Sequence, residues 1–472
     1  MTKQKTNNER KTMKNTTANP KRTQATRTAF LSRLTHFCKR LSVSTLLTRS
    51  GIRKLDGVPV MTILISLLSL VFSGKSMQTA YGDRSEGFGD DTLARFLGNP
   101  LHNWRHLLLS LTRCILHDCI QDLTSKTRIK CLIVDDSIYS RNRSKKVELL
   151  AWVYDHSIGR MMKGFRMLTL AWTDGYSTFG LDFALLGAAT DKARIQGIVK
   201  PVDHRSSGYR RRMEAMQEAP VVLVDMIRRA LRIGVRASYV LMDSWFCLPS
   251  IIASVKALGI DVIGMAKKSS KIQYDVQGQM WDAKQIYRSV RKKRGRAKVL
   301  SSVVCRLKKT ELPVKLVFVR NRNVKRDWLV LVSTNPDLPD EEIVRIYGYR
   351  WEIEVFFKMC KQHLRLSKET QSRDYDALVA HTTIVFIRFN FLSLECRHET
   401  DPKSFGELFR CCAAEVADLT MYDALQRILS ILVAKLQAFS VFSRELLDKI
   451  IDRFFECAEI LYPQLFMQGC ET

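Results

Sequence analysis

IYGYRWEIEVFFKMCKQHL, residues 346–364, is the most informative stretch of the chain. Its apolar spacing predicts a helix, and at 100° per residue four polar side chains point within about 60° of one another. These four are Tyr347, Arg350, Glu354 and Lys361. They form one stripe, in which neighbours three or four residues apart can touch. One acid among these groups suits a metal-binding carboxylate beside phosphate-binding cations; the alternative is an ordinary solvated face with ion pairs.

Two apolar runs far upstream end in aspartates. CLIVDD ends in Asp135 and Asp136, and SYVLMD ends in Asp243. Each run predicts a buried strand, and an acid at the end of such a strand is costly unless it lies at the rim or binds a ligand. Because side chains alternate along a strand, Asp135 and Asp136 point to opposite faces. Only one of them can therefore face a site on a given side of the sheet; Asp135 is our preferred site residue, and Asp136 stays open as the alternative.

Asp135 (or Asp136), Asp243 and Glu354 together would offer the carboxylate oxygens that Mg²⁺ or Mn²⁺ prefers. Cleavage of a phosphodiester at neutral pH needs an activated water and stabilised charge on the attacking and leaving oxygens. Two divalent ions about 3.5–4 Å apart can provide both. The predicted cofactor is therefore a pair of Mg²⁺ or Mn²⁺ ions.

The spacing Y-x2-R-x3-E-x6-K resembles the motif of the insertion-sequence four family, the cut-and-paste bacterial DDE transposases. Asp135-Asp136-Ser137 is similar to the D-x-T/S of that family's first catalytic position, with serine where threonine is common. Asp243, in DSWF, is similar to the second. The resemblance covers roughly residues 90–395.

The resemblance implies a role for each matching residue. Asp135, Asp243 and Glu354 would coordinate the metals. Tyr347, Arg350 and Lys361 would contact phosphates of the transposon end. Trp281 is our choice for the tryptophan that receives a flipped base in relatives. A hairpin on the transposon end and a homodimer acting on double-stranded DNA are further implications of the family.

The order of predicted elements is typical of an α/β fold. Residues 30–120 have helical spacing; strands follow from residue 131, then strand and helix alternate to residue 266. Strand-like, basic residues 267–335 precede a helix predicted at about 340–366. This order resembles a ribonuclease H-like fold. We predict a disordered basic arm (1–28), a helical DNA-binding domain (29–125), a ribonuclease H-like catalytic core (126–266 and 336–395), a β-rich insertion (267–335) and a helical C-terminal region (396–472).

Composition limits the partners. The chain has 472 residues, 46% of them hydrophobic, and a net charge of +29. Such a charge indicates a polyanionic partner, with nucleic acid ahead of a membrane surface. The apolar run at 58–72 is short for a bilayer span and predicts a buried helix. Twelve scattered cysteines without a C-x-x-C pair indicate free thiols and a cytoplasmic location; the resemblance adds a bacterial, nucleoid-associated setting.

The resulting hypothesis is a transposase that cleaves at transposon ends and transfers the 3′ hydroxyl into target DNA. Two alternatives stay open. A transposase-derived protein without catalysis would need only the basic segments. Another ribonuclease H-like nuclease would cleave but join nothing.

Overall fold

The chain divides into two compact units, residues 36–410 and residues 1–35 with 411–472. The computed structural model describes residues 20–73, 77–81, 88–125, 127–155, 158–293, 297–308, 310–321, 324, 327–398, 407, 409–410, 412–413 and 453. Most of the predicted basic arm and C-terminal region lies outside them. The larger unit holds the whole sheet and the candidate site.

The first part of the chain is helical, as its spacing predicts. The helices are α1 (Pro20–Arg40), α2 (Val43–Arg49), α3 (Val60–Leu70), α4 (Met77–Tyr81), α5 (Asp90–Leu97) and α6 (Trp104–Cys114). α1 begins at Pro20, so residues 20–28 are helical where the sequence suggested disorder. α6 packs on the sheet, because Thr112 donates a hydrogen bond to the Gly180 carbonyl. Residues 36–125 of the predicted helical domain therefore share the larger unit with the predicted catalytic core.

The fold is mixed α/β with one large sheet. Its strands are β1 (Cys131–Ser140), β2 (Ala151–Asp155), β3 (Arg160–Thr173), β4 (Thr178–Leu186), β5 (Tyr239–Met242), β6 (Asp261–Met265), β7 (Gln273–Val276), β8 (Gln279–Asp282), β9 (Val299–Leu307), β10 (Pro313–Arg320) and β11 (Trp328–Ser333). Between and beside the strands lie α7 (Ser207–Ala215), α8 (Ala219–Arg232), α9 (Pro249–Lys256) and α10 (Ala283–Ser289).

The strand order sets the position of the predicted acids. β1, β3 and β4 are antiparallel neighbours, whereas β5 and β6 run parallel to β1. The turn between β3 and β4 uses Gly175 at φ +78°, and Asp174 accepts backbone hydrogen bonds there. α9 joins β5 to β6, as a parallel pair requires. The carboxyl end of β5 therefore lies beside the middle of β1.

The β-rich insertion continues the sheet. β11 pairs antiparallel with β6, and β10, β9, β7 and β8 follow in that order to the edge. The β-strand content matches the expectation, but the direct pairing with the core was not predicted. Residues 267–335 therefore extend the sheet that carries the aspartates.

The predicted helix at 340–366 is wrong in one respect, because it is two helices. α11 (Asp340–Gly348) and α12 (Trp351–Gln362) are separated by Tyr349 and Arg350. Across this break the backbone bonds reach back three residues, as from Arg350 N–H to the Tyr347 carbonyl. Gly348, a poor helix former, precedes the break.

The last helix of the larger unit, α13 (Tyr375–His398), is a buried core element. Residues 375–397 are long and apolar enough to cross a membrane, but their apolar window is entirely buried inside the fold. The Arg388 guanidinium donates to the carbonyls of Leu67 and Leu68 on α3 and to the Glu369 carboxylate. The length of α13 therefore reflects its central place in the core.

Candidate active site

The two predicted aspartates lie side by side. β1 and β5 are in register from Cys131↔Tyr239 to Val134↔Met242, so Asp135 and Asp243 occupy the next positions on adjacent strands. The Asp243 carboxylate accepts hydrogen bonds from the backbone of Trp245, at 2.9 Å, and of Phe246. β5 ends before Asp243, whereas β1 continues to Ser140 with β3 alone. Asp135 therefore lies inside β1, whereas the sequence predicted that the strand would end there.

Glu354 reaches this pair through Arg350. The Arg350 guanidinium donates to the Asp135 carboxylate at 3.1 Å and to the Glu354 carboxylate. The break between α11 and α12 places Arg350 there. Asp135 and Arg350 are 16% exposed, and Glu354 is 36% exposed. One cation therefore bridges two of the three predicted acids, at the point where the site opens to solvent.

Asp136 faces the other side of the sheet. Its carboxylate accepts a hydrogen bond from Arg166, which lies on β3 beside Ile138. This ion pair satisfies the Asp136 charge. The contact of Arg350 with Asp135 therefore favours Asp135 over Asp136 as the site residue.

Burial disfavours ionisation of the paired aspartates. It raises the pKa of Asp135 to about 7; a hydrogen bond from the Asp136 N–H and the Arg350 charge oppose that shift, and the Asp243 charge adds to it. Burial also raises the pKa of Asp243, against hydrogen bonds from the backbone of Trp245 and Phe246. Both pKa shifts follow mainly from burial, which penalises the charged form of a carboxylate.

Lys361 and Tyr347 flank the acids. Lys361 Nζ donates to Ser137 Oγ at 2.6 Å, and Ser137 lies two residues beyond Asp135 on the same face of β1. Burial lowers the pKa of Lys361. The Tyr347 hydroxyl is buried beside Arg350, and no partner in the described part of the chain meets full hydrogen-bond geometry with it. An unsatisfied buried hydroxyl is costly, so a ligand oxygen that reached it would gain a hydrogen bond.

The donor set fits a hard divalent ion in chemistry, and the acids converge only in part. Among the residues that the structure describes, no three His, Cys, Asp or Glu side chains lie close enough together to hold a metal ion. The Arg350 cation lies between Asp135 and Glu354 instead. Two buried carboxylates with raised pKa values would still gain from a cation, because it favours their charged forms.

Trp281 is half-buried on β8, opposite Tyr274 on β7, and belongs to the insertion rather than to the strands that carry the acids. The Trp245 indole, two residues after Asp243, is 49% exposed. Lys267 Nζ lies 4.3 Å from the centre of its ring. A tryptophan two residues after a strand-end aspartate was the sequence signal for this exposed ring.

Comparison with known proteins gives a family for the chain. The model of the DDE superfamily endonucleases matches residues 44–316, which is more than half of the chain. The chain therefore belongs to the DDE superfamily endonucleases. The matched segment contains Asp135 and Asp243 and ends before Glu354. No curated protein matches the chain.

Proposed function

We propose that this protein is a DNA transposase of the insertion-sequence four type. It cleaves the ends of its element and transfers the 3′ hydroxyl into target DNA, with two divalent ions held by Asp135, Asp243 and Glu354. The observation that supports the proposal is the Arg350 bridge: Arg350 contacts both Asp135 and Glu354, and Asp135 lies in register beside Asp243.

The strand topology supports a ribonuclease H-like core. β1, β3 and β4 are antiparallel, and β5 and β6 lie parallel to β1 on its other side. This arrangement agrees with the predicted order of strands. The middle of β1 and the carboxyl end of β5 then supply the aspartates, and α12 supplies Glu354. Family membership is consistent with this assignment.

Each side chain has a task in this proposal. Divalent ions, when bound, would activate the attacking water or 3′ hydroxyl and stabilise the leaving oxygen. Asp135, Asp243 and Glu354 would hold those ions. Arg350 has a planar fork for two phosphate oxygens, and Lys361 is a compact charge already positioned by Ser137.

The partners in this proposal are double-stranded transposon ends and target DNA, bound by a homodimer in the bacterial cytoplasm. The net charge of +29 supports a nucleic-acid partner. The helices of residues 29–125 are the proposed DNA-binding domain. Trp281 stays a prediction for the flipped base.

A strand-transfer assay tests the proposal against its alternatives. The substrate is DNA with the inverted repeats that flank the coding region, either intact or pre-cut to expose the 3′ hydroxyl, with Mg²⁺ or Mn²⁺. A transposase cuts the first and joins the second to a target plasmid. Cutting without joining would indicate another nuclease, and binding without either would indicate a protein that has lost catalysis.

Replacing Tyr347 by phenylalanine is expected to separate stability from binding. The variant removes a buried hydroxyl that lacks a partner, so unfolding should cost up to about 1 kcal/mol more. Affinity for a transposon end should fall about tenfold to 150-fold if the hydroxyl contacts a phosphate, since a hydrogen bond to a charged group contributes about 1.5–3 kcal/mol. Thermal melting and fluorescence anisotropy measure the two effects. Tyr349→Phe is the control, because the Tyr349 hydroxyl already accepts a hydrogen bond from Arg345.

Arg350→Gln is expected to strengthen metal binding in the absence of DNA. The guanidinium that now lies between Asp135 and Glu354 competes with any divalent ion for both carboxylates. The rise in melting temperature caused by Mn²⁺ should therefore be larger in the variant than in the unchanged protein. Arg345→Gln, at an exposed ion pair on α11, controls for the loss of one charge. Equal Mn²⁺ shifts in all three proteins would contradict the expectation.

A further inference from the structure

A patch of aromatic and basic side chains lies on the outer strands of the sheet, away from the acids. Trp152 and Tyr154 on β2 and Met161 on β3 are each 43–50% exposed. The pairs Trp152↔Lys163 and Tyr154↔Met161 stand opposite each other across the two strands. The Lys163 ammonium lies 5.4 Å from the centre of the Trp152 ring. Two large rings therefore stand on one face of a β-ribbon, with a cation beside them.

A basic loop lies against this ribbon. The Arg141 N–H donates to the Lys163 carbonyl at 2.8 Å, and the Lys163 N–H donates to Asn142 at 2.9 Å. These bonds hold the segment RNRSKK, residues 141–146, next to Lys163. Arg143, Lys145 and Lys146 on this segment are exposed. Trp152, Tyr154, Met161 and Lys163 with Arg143, Lys145 and Lys146 are called the β2–β3 surface below.

The β2–β3 surface faces the same side of the sheet as Asp135. The register of β3 with β1 places Phe165 opposite Tyr139 and Thr169 opposite Asp135. Lys163 lies on the same face of β3 as Phe165 and Thr169, because side chains on one face recur at every second residue. Six residues along the strands and two strands across correspond to roughly 22 Å between Trp152 and Asp135. At 3.4 Å per nucleotide, a strand of about six nucleotides spans that distance.

We propose that the β2–β3 surface binds single-stranded DNA, with bases stacked on Trp152 and Tyr154 and phosphates held by the basic loop. Exposed aromatic rings among cations are the usual combination for binding unpaired bases, because every base offers a face for stacking. The inference does not need cleavage to be correct. The β2–β3 surface would add to the proposed function a second contact for a DNA strand that extends from the candidate active site.

A second copy of this chain is the other occupant that exposed rings could attract. In a two-fold dimer the same patch meets itself. Arg143, Lys145, Lys146 and Lys163 of one copy would then face the same cations of the other, and such like-charge contacts are unfavourable. The charge of the surface therefore favours a polyanion.

Anisotropy with the full-length chain in EDTA tests the inference. The probes are a labelled 20-nucleotide single strand, the duplex made from it, and an RNA of the same sequence. Trp152→Ala with Tyr154→Ala should weaken single-strand binding by about fivefold to 150-fold per ring, and duplex binding by less than about twofold. Trp152→Phe keeps a stacking face and should retain most of the affinity. Val221→Ala, at an exposed position on α8, should change nothing.

Several outcomes would overturn the inference. They are unchanged single-strand affinity in the double variant, an equal loss on duplex, or a loss seen with RNA alone. A change of oligomeric state in light scattering with intact single-strand affinity would instead make the surface a protein interface. Melting temperatures should match the unchanged protein, since the rings are exposed.

The anisotropy assay and the strand-transfer assay together separate this inference from the proposed function. If the unchanged protein never cuts or joins DNA but the double variant loses single-strand binding, the β2–β3 surface stands and the transposase assignment falls. If the protein transposes but the double variant binds single strands as well as the unchanged protein, the inference falls alone.

Discussion

Glu354→Ala is expected to lower DNA cleavage by about 10³-fold or more while leaving the binding of transposon ends within about twofold. Electrostatic stabilisation by a bound metal contributes several kcal/mol to phosphodiester cleavage, and each 1.36 kcal/mol is a factor of ten in rate. Glu354 is half-exposed on α12 and contacts Arg350, so its removal leaves the core unchanged. Nicking rates with Mg²⁺ and anisotropy with labelled ends measure the two quantities.

The matched control for this variant is Glu341→Ala. Glu341 is an exposed carboxylate in the first turn of α11, one helix before Glu354. It removes the same charge at a distance from the acids and should cleave normally. Undiminished nicking by Glu354→Ala in Mg²⁺ would count decisively against the assignment of the acids.

The second large effect is expected on stability. Glu369→Ala should lower the free energy of unfolding by about 3–5 kcal/mol, because it leaves the Arg388 guanidinium buried without its counter-ion. Arg388 is 1% exposed and also holds the last carbonyls of α3. Glu369→Gln keeps a hydrogen-bond acceptor and should cost less. Thermal and denaturant unfolding of the whole chain give the comparison.

Replacing both partners provides the control. Glu369→Gln with Arg388→Met removes both charges together, so no buried ion is left alone. This double variant should be more stable than the Arg388→Met single variant, which isolates the carboxylate. If the two were equally stable, the ion pair would not be the source of the loss.

The same residue predicts a pH dependence. The Glu369 carboxyl is deeply buried, which raises its pKa, but Arg388 and a hydrogen bond from His381 lower it more, to about 2 from the ordinary 4.5. A carboxyl whose pKa is lower in the folded protein than in the unfolded protein stabilises the fold fully at pH values above the unfolded pKa. That stability is lost as the pH falls from about 4.5 towards 2. Melting temperature should therefore fall less steeply over this range in Glu369→Gln than in the unchanged protein.

Many strands and helices of the core were predictable, because the spacing of apolar residues within a segment indicates the secondary structure of that segment. Apolar runs ending in aspartates predicted the strands that carry Asp135 and Asp243, and helical spacing predicted Glu354 on one stripe with Arg350. The extension of β1 to Ser140 was missed, because residues after Asp136 lack apolar alternation. The break at Tyr349 was missed, because both its residues keep helical dihedral angles.

Pairing between remote segments could not be predicted. Nothing in β6 or β11 alone indicates that they are neighbours, so the insertion read as a separate element. The sequence also does not indicate the partner of a buried charge. Arg388 lies in an apolar helix, and nothing in that segment predicts its contacts with Glu369 and α3. The aromatic residues of β2 alternate with buried ones, which predicts a strand but not which ring stays exposed.

The pairing of β11 with β6 has a consequence for truncation. A shortened protein without residues 267–335 would lose the neighbour of β6 and expose a row of unpaired N–H and C=O groups. Such an uncovered edge invites another chain to add a strand, so deletion should produce insoluble aggregates rather than a smaller working nuclease. The segment thus acts as a cover against self-association, whatever else it binds.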